Sequence, residues 1–216
     1  MRPRHSRRVA APVIFKLCSL LLQYPDDELL AGRAVVLAAV AELPDSPARS
    51  ALARFCEWWQ TTERLALEQH YVHTFDLDKR CGLYLTFYGE GERRERGAAL
   101  LRLKRLYRAA GLPLEGSELP DFLPVMLEFA ATVPDRRGEI VLREHRAALE
   151  LVRLSLHDRG TPYANVVDAL CHTLGEISTA DRARAIKLAA AGPPQELVGL
   201  EPFAPPEVMP TAEARR

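Results

Sequence analysis

The chain has 216 residues, 48% hydrophobic and 27% charged, with 29 Lys and Arg balanced by 29 Asp and Glu. That length bounds it to one large domain or two small ones, and that composition excludes disorder as the main state. A net charge of zero argues against a dedicated nucleic-acid binder, in which phosphate neutralisation leaves a positive excess.

Ala, Leu, Glu and Arg dominate, while Ile occurs only at Ile14, Ile140, Ile177 and Ile186. Strong helix formers in place of β-branched residues point to an all-α, single-domain helical bundle. Residues 1–11 form a basic, flexible lead. Ser6-Arg7-Arg8-Val9 resembles a twin-arginine export signal, but Lys16, Gln23, Tyr24, Pro25, Asp26 and Asp27 follow, with no small-x-small cleavage site. A helix is expected over 12–22, with Val13, Leu17, Leu20 and Leu21 on one side and Tyr24-Pro25 at its end. Asp26-Asp27-Glu28 place acidic charge where a second helix begins, and that helix runs to about 43. Ser46-Pro47 reads as an N-cap followed by a first-turn proline. It opens a long helix to about 75, with Leu52, Phe55, Trp59, Thr62 and Ala66 in register.

A charged break over 76–82 leads to a short apolar-aromatic piece over 83–88, then to the turn Gly89-Glu90-Gly91. A helix over 92–110 is closed by Gly111 and Pro113. After a loop, 121–133 is a short helix apolar on nearly every side, so it is buried or lines a groove. Further helices are expected over 138–156, from Thr161-Pro162 to 177, and over 180–191. Residues 12–191 thus make the helical domain. Six prolines crowd residues 192–216, which read as a mobile tail.

The catalytic inventory is poor. Gly89-Glu90-Gly91-Glu92-Arg93-Arg94 begins like a dinucleotide fingerprint but has Arg94 at the third glycine and follows a helix. His70, His73 and Asp76 have helical spacing that a metal could use, yet a di-metal bundle needs two Glu-x-x-His repeats, and none occurs. Two partly exposed helix histidines are the plainer reading. A small metal- or haem-binding enzyme built on His70, His73 and Cys81 therefore lacks a complete ligand set. Cys18, Cys56, Cys81 and Cys171 lie far apart with no CxxC pair, as reduced thiols of a cytoplasmic protein do. No apolar run reaches the ~18 residues of a membrane span, so no stable membrane insertion is expected.

Charge patterning says more. Arg93, Arg94, Arg96, Arg102, Lys104, Arg105 and Arg108 face one acid, Glu95, whereas residues 109–135 hold no Lys or Arg but Glu115, Glu118, Asp121, Glu128 and Asp135. Either two solvated faces pair with each other, or an apolar floor with an acidic rim accepts a basic amphipathic peptide.

Several ordered segments resemble one family. Leu20-Leu21-Leu22-Gln23-Tyr24-Pro25-Asp26, Tyr71-Val72-His73-Thr74-Phe75-Asp76, Leu83-Tyr84-Leu85-Thr86-Phe87-Tyr88, Gly91 through Gly97, Glu118-Leu119-Pro120-Asp121 and Leu127-Glu128-Phe129 are similar to the NarJ family. These are nitrate reductase molybdenum-cofactor assembly chaperones, or delta subunits, within the TorD-like maturation chaperones. Phe122 stands where relatives commonly carry His. The resemblance implies a non-enzymatic, all-helical helper without a cofactor of its own. It would bind the N-terminal segment of the apo nitrate reductase alpha subunit while the molybdenum cofactor is inserted, before membrane docking. A chaperone for another molybdoenzyme is the neighbouring alternative. On that reading Tyr71, Phe75, Tyr84, Tyr88, Phe122, Met126 and Phe129 supply peptide anchors or walls. Asp76, Glu118, Asp121 and Glu128 meet client Lys or Arg, and Arg94 and Arg96 tie the aromatic turn to an acidic neighbour.

Overall fold

The computed structural model describes residues 3–90 and 94–191. The turn at Gly91, the side chain of Arg94 and residues 192–216, all singled out above, lie outside that description. Among the described residues the fold is helical throughout, joined at one point by an isolated antiparallel bridge between Tyr84 and Phe122.

Helix α1 (Pro3–Leu21) starts well before the expected residue 12 and carries Pro12 within it. The second expected helix is two, α2 (Asp27–Ala31) and α3 (Arg33–Glu42), meeting at Gly32. Asp26 caps the first by accepting the Leu29 N–H at 2.9 Å. Ser46 caps α4 (Pro47–Thr61) through the Arg49 N–H at 3.1 Å, as its sequence predicts.

The long helix expected to 75 is broken. Thr61 and Thr62 turn their hydroxyls back onto the Glu57 and Trp58 carbonyls at 2.7–3.1 Å, offering the backbone an alternative to the next helical turn. Thr62 is extended, and α5 (Arg64–Tyr71) then passes into a π-helical stretch, Val72–Asp76. After α6 (Leu85–Glu90) and α7 (Arg94–Ala109), Gly111 takes the positive φ of a helix stop. Helix α8 (Leu123–Thr132) follows. The next expected helix divides at His145, whose ring Nδ1 engages the Val141 carbonyl at 2.9 Å, into α9 (Arg137–Glu144) and α10 (Arg146–Asp158). Helices α11 (Tyr163–Leu174) and α12 (Thr179–Ala191) complete the described chain.

Helix α1 packs between α8 and α11, α11 also meets α4 and α10, and α9 lies on α8. Trp59, Phe55, Tyr71, Phe75 and Tyr163 form an aromatic centre, with the Phe75 and Tyr163 rings 4.8 Å apart. The α8–α9 crossing is closest at Gly138, where a Cβ would sit 2.3 Å from the Ala130 Cα. Backbone, rather than a movable side-chain tip, stands in the way, so Gly138→Ala should lower stability by about 1–3 kcal/mol. Urea unfolding checks this; an unshifted midpoint would mean that α9 can move away at no cost.

Candidate functional site

The segment between α5 and α8 is built as a set of latches. Asp78 accepts the Arg80 N–H at 3.0 Å and the Cys81 thiol at 3.6 Å, and pairs with Arg159. Tyr88 donates its hydroxyl to the carbonyls of Arg80 and Gly82. Leu85 donates its N–H to the Asp121 carbonyl at 3.1 Å and Leu123 donates to the Leu83 carbonyl at 2.8 Å, which fixes Tyr84 opposite Phe122. Their rings lie 5.2 Å apart.

Asp121 is the centre of this set. It is fully buried, and its Oδ2 accepts both the Thr86 hydroxyl at 2.6 Å and the Thr86 N–H at 3.2 Å. The Arg96 guanidinium lies 3.6 Å from the same oxygen and spreads over the Phe87 ring. Tyr107 donates its hydroxyl to the neighbouring Pro120 carbonyl at 2.7 Å. The rim position expected for Asp121 is thus corrected: its carboxylate stitches α6 and α7 to the start of α8 and has no exposed surface. Arg96 has the tying role expected of it.

The other expected site residues divide by burial. Tyr71, Phe75, Tyr88, Met126 and Phe129 belong to the core, so they can brace a wall from behind but offer a ligand little surface. Tyr71 donates to the Leu22 carbonyl and Phe129 packs on Tyr107. Accessible surface remains at Asp76, Tyr84, Glu118, Phe122 and Glu128. The Tyr84 hydroxyl donates to Glu118 at 3.0 Å. Burial and then that carboxylate push the phenol up to about 12, so it stays a protonated donor.

Glu128 belongs to a second feature. Val125, Glu128 and Thr132 share the outward side of α8, with Phe122 at its start. Beyond them an open groove of about 480 Å³ runs between α1, α3 and α8. Val13, Leu17, Leu20, Val35, Val36 and Ala39 make most of its lining, and Lys16 crosses its edge to Glu128 at 2.7 Å. Val13 and Val35 are 46% and 73% exposed. Sequence reasoning missed this lining, although a signal was present. Residues 34–40 are Ala, Val or Leu without exception, more apolar surface than one buried face can use.

His70, considered above as a ligand, places Nε2 2.7 Å from the Thr161 hydroxyl and stacks on Tyr163. Among the described residues no group of three His, Cys, Asp or Glu side chains is arranged to hold a metal ion. No helix among them is long and apolar enough to cross a membrane.

The chain matches the family model described as nitrate reductase delta subunit over residues 41–168. It is 36% identical over 168 residues to the nitrate reductase-like protein NarX of Mycobacterium tuberculosis, covering 76% of this chain but only 25% of NarX. A Bacillus subtilis protein named for the nitrate reductase molybdenum cofactor assembly chaperone NarJ is 36% identical over 166 residues, 76% of this chain and 90% of that one. The fold is similar to a crystal structure from Archaeoglobus fulgidus assigned to redox enzyme maturation, with a TM-score of 0.53, 23% identity, and coverage of 81% and 91% of the two chains.

The burial pattern makes a direct prediction. Asp121→Ala should cost about 3 kcal/mol, because it strips a buried carboxylate from Thr86 and Arg96. Glu118→Ala, at a half-exposed hydrogen bond, should cost less than about 1 kcal/mol. Equal losses in thermal unfolding would contradict the division between knot and rim.

Proposed function

The chain belongs to the nitrate reductase delta subunit family, and from that premise we propose that it is a maturation chaperone for a molybdenum-dependent nitrate reductase. It acts without catalysis in the cytoplasm. Its client is the N-terminal segment of the apo alpha subunit, held while the molybdenum cofactor is inserted and before the enzyme docks at the membrane. The relatives' names support the role. The open apolar groove between α1, α3 and α8 carries the binding reading, because Val13, Val35 and their neighbours line one contiguous apolar surface, the kind that marks an interaction site.

The client segment lies along the outward side of α8. One end meets Tyr84, Phe122, Glu118 and Asp76, and the other inserts apolar side chains over Val13, Val35 and Ala39 beside Glu128. Three or four such anchors at ~1.5–3 kcal/mol each, less ~2–5 kcal/mol for ordering a flexible peptide, leave at most about 10 kcal/mol, and four well-buried anchors bring the affinity near 1 μM, about −8 kcal/mol. That is tight enough to capture and weak enough to release. The carboxylates raise the association rate and favour basic clients more than they deepen binding.

The test is titration of the chain with a peptide copied from the first residues of its cognate alpha subunit. Val13→Asp combined with Val35→Asp puts charge on exposed positions and should leave the melting temperature in place. Affinity should fall roughly tenfold or more, from two lost apolar contacts. Unchanged affinity would remove the groove from the binding path.

A further inference from the structure

The two charges in the groove between α1, α3 and α8 are bound to each other. Val13, Lys16, Leu17 and Leu20 stand at i, i+3, i+4 and i+7 on α1, so one wall is an apolar strip with a cation set into it. Glu128, beside Ala131 and Thr132, faces it from α8, while α3 contributes Val35, Val36 and Ala39. Among the described residues that line the groove, Lys16 and Glu128 alone carry charge. The Lys16 ammonium reaches both carboxylate oxygens, at 2.7 and 2.8 Å. Ser19 steadies the acid from α1: its hydroxyl, donated to the Pro124 carbonyl at 2.8 Å, also lies 3.5 Å from Glu128 Oε2.

This pair is open to competition. Its side chains are 47% and 45% exposed, and so exposed an ion pair contributes little, because water screens it and two long side chains must be held still. Helix α1 does not depend on it for its place, since Ile14, Phe15, Cys18 and Leu21 are buried along its inward side. An ammonium offers a carboxylate a point charge, whereas a guanidinium offers two parallel N–H groups to its two oxygens. A guest arginine can therefore take Glu128 from Lys16, provided apolar neighbours cover the walls on either side. When the guest leaves, Lys16 swings back and the carboxylate is not left unpaired beside apolar surface.

We propose that Lys16 is a built-in competitor for the client: it occupies Glu128 in the free chain, and the segment that displaces it presents an arginine flanked by apolar residues. Lys16 acts in this way only if the groove holds the client segment, the reading on which this role rests. A pair that merely pinned α1 to α8 would matter for stability and not for the order of affinities.

Titration of the full chain tests it, with the peptide copied from the first residues of the cognate alpha subunit and with copies in which each Arg in turn is replaced by its neutral isostere citrulline. Lys16→Gln should tighten binding of the unmodified peptide about two- to fivefold, the worth of an exposed ion pair. Lys16→Arg, which gives Glu128 a two-pronged internal partner, should loosen it about twofold or more. One citrulline copy should bind the wild type more weakly and respond to neither substitution, because Lys16 then stays in place. Thermal unfolding of both variants should match the wild type. Affinities that do not run from Lys16→Gln through the wild type to Lys16→Arg would overturn the proposal. So would citrulline copies that all respond as the unmodified peptide does, or a cognate segment that contains no Arg. A wild-type chain that binds no form of the peptide would remove the client reading itself, and this role with it.

Discussion

One buried carboxylate organises the middle of this molecule. Asp121 has no exposed surface, and a charge taken out of water survives there only if its partners replace the lost solvation. At Oδ2, Thr86 provides two hydrogen bonds and Arg96 the opposite charge, while the buried Oδ1 has no hydrogen-bond partner among the described residues. Those partners come from α6 and α7, so satisfying one side chain fixes both helices against the start of α8. The bridge between Tyr84 and Phe122 and the Tyr107 hydroxyl on the Pro120 carbonyl then hold the backbone on either side. Arg96 is spent in this knot and Arg102 pairs with Glu144, while Lys104, Arg105 and Arg108 meet no acid among the described residues.

The position of α8 follows from that anchoring, and α8 separates core from surface. Its inward residues, Leu123, Met126, Leu127, Phe129 and Ala130, are buried, and α1 packs along it. Ser19 reinforces the contact by donating to the Pro124 carbonyl at 2.8 Å. The outward residues are left as a strip with Tyr84 and Glu118 at one end and the apolar groove at the other. A surface of this kind suits an extended or helical peptide with basic and apolar residues, since it sets the carboxylates of Glu118 and Glu128 beside apolar positions.

Much of this was legible in the sequence. Helix-forming composition gave the all-α class, and Ser46-Pro47 and Gly111-Leu112-Pro113 marked helix ends where they occur. The Thr61-Thr62 and His145 breaks were not legible, because each depends on a polar side chain choosing a carbonyl over solvent, while the apolar spacing continues past it. The same limit affected the site. Tyr71, Phe75, Met126 and Phe129 were picked for their chemistry, but an aromatic or Met at helical spacing looks alike whether it anchors a guest or fills the core. Asp121 was misplaced for a related reason: beside Glu115 and Glu118 it read as one more rim acid, and only the approach of Thr86 and Arg96, 35 and 25 residues earlier, shows it to be interior. The groove lining was the reverse case, visible in the uninterrupted apolar run of α3 but read as ordinary helix.

Amide hydrogen exchange of the full chain, with and without a peptide copied from the first residues of the cognate alpha subunit, tests the binding surface most directly. The peptide should slow exchange in α1, α3 and the outward side of α8, together with the stretch around Tyr84. The aromatic centre around Phe75 and Tyr163 should exchange slowly in both states. Protection confined to α4, α10 or α12, with α3 and α8 unchanged, would contradict a client bound along α8 and its groove.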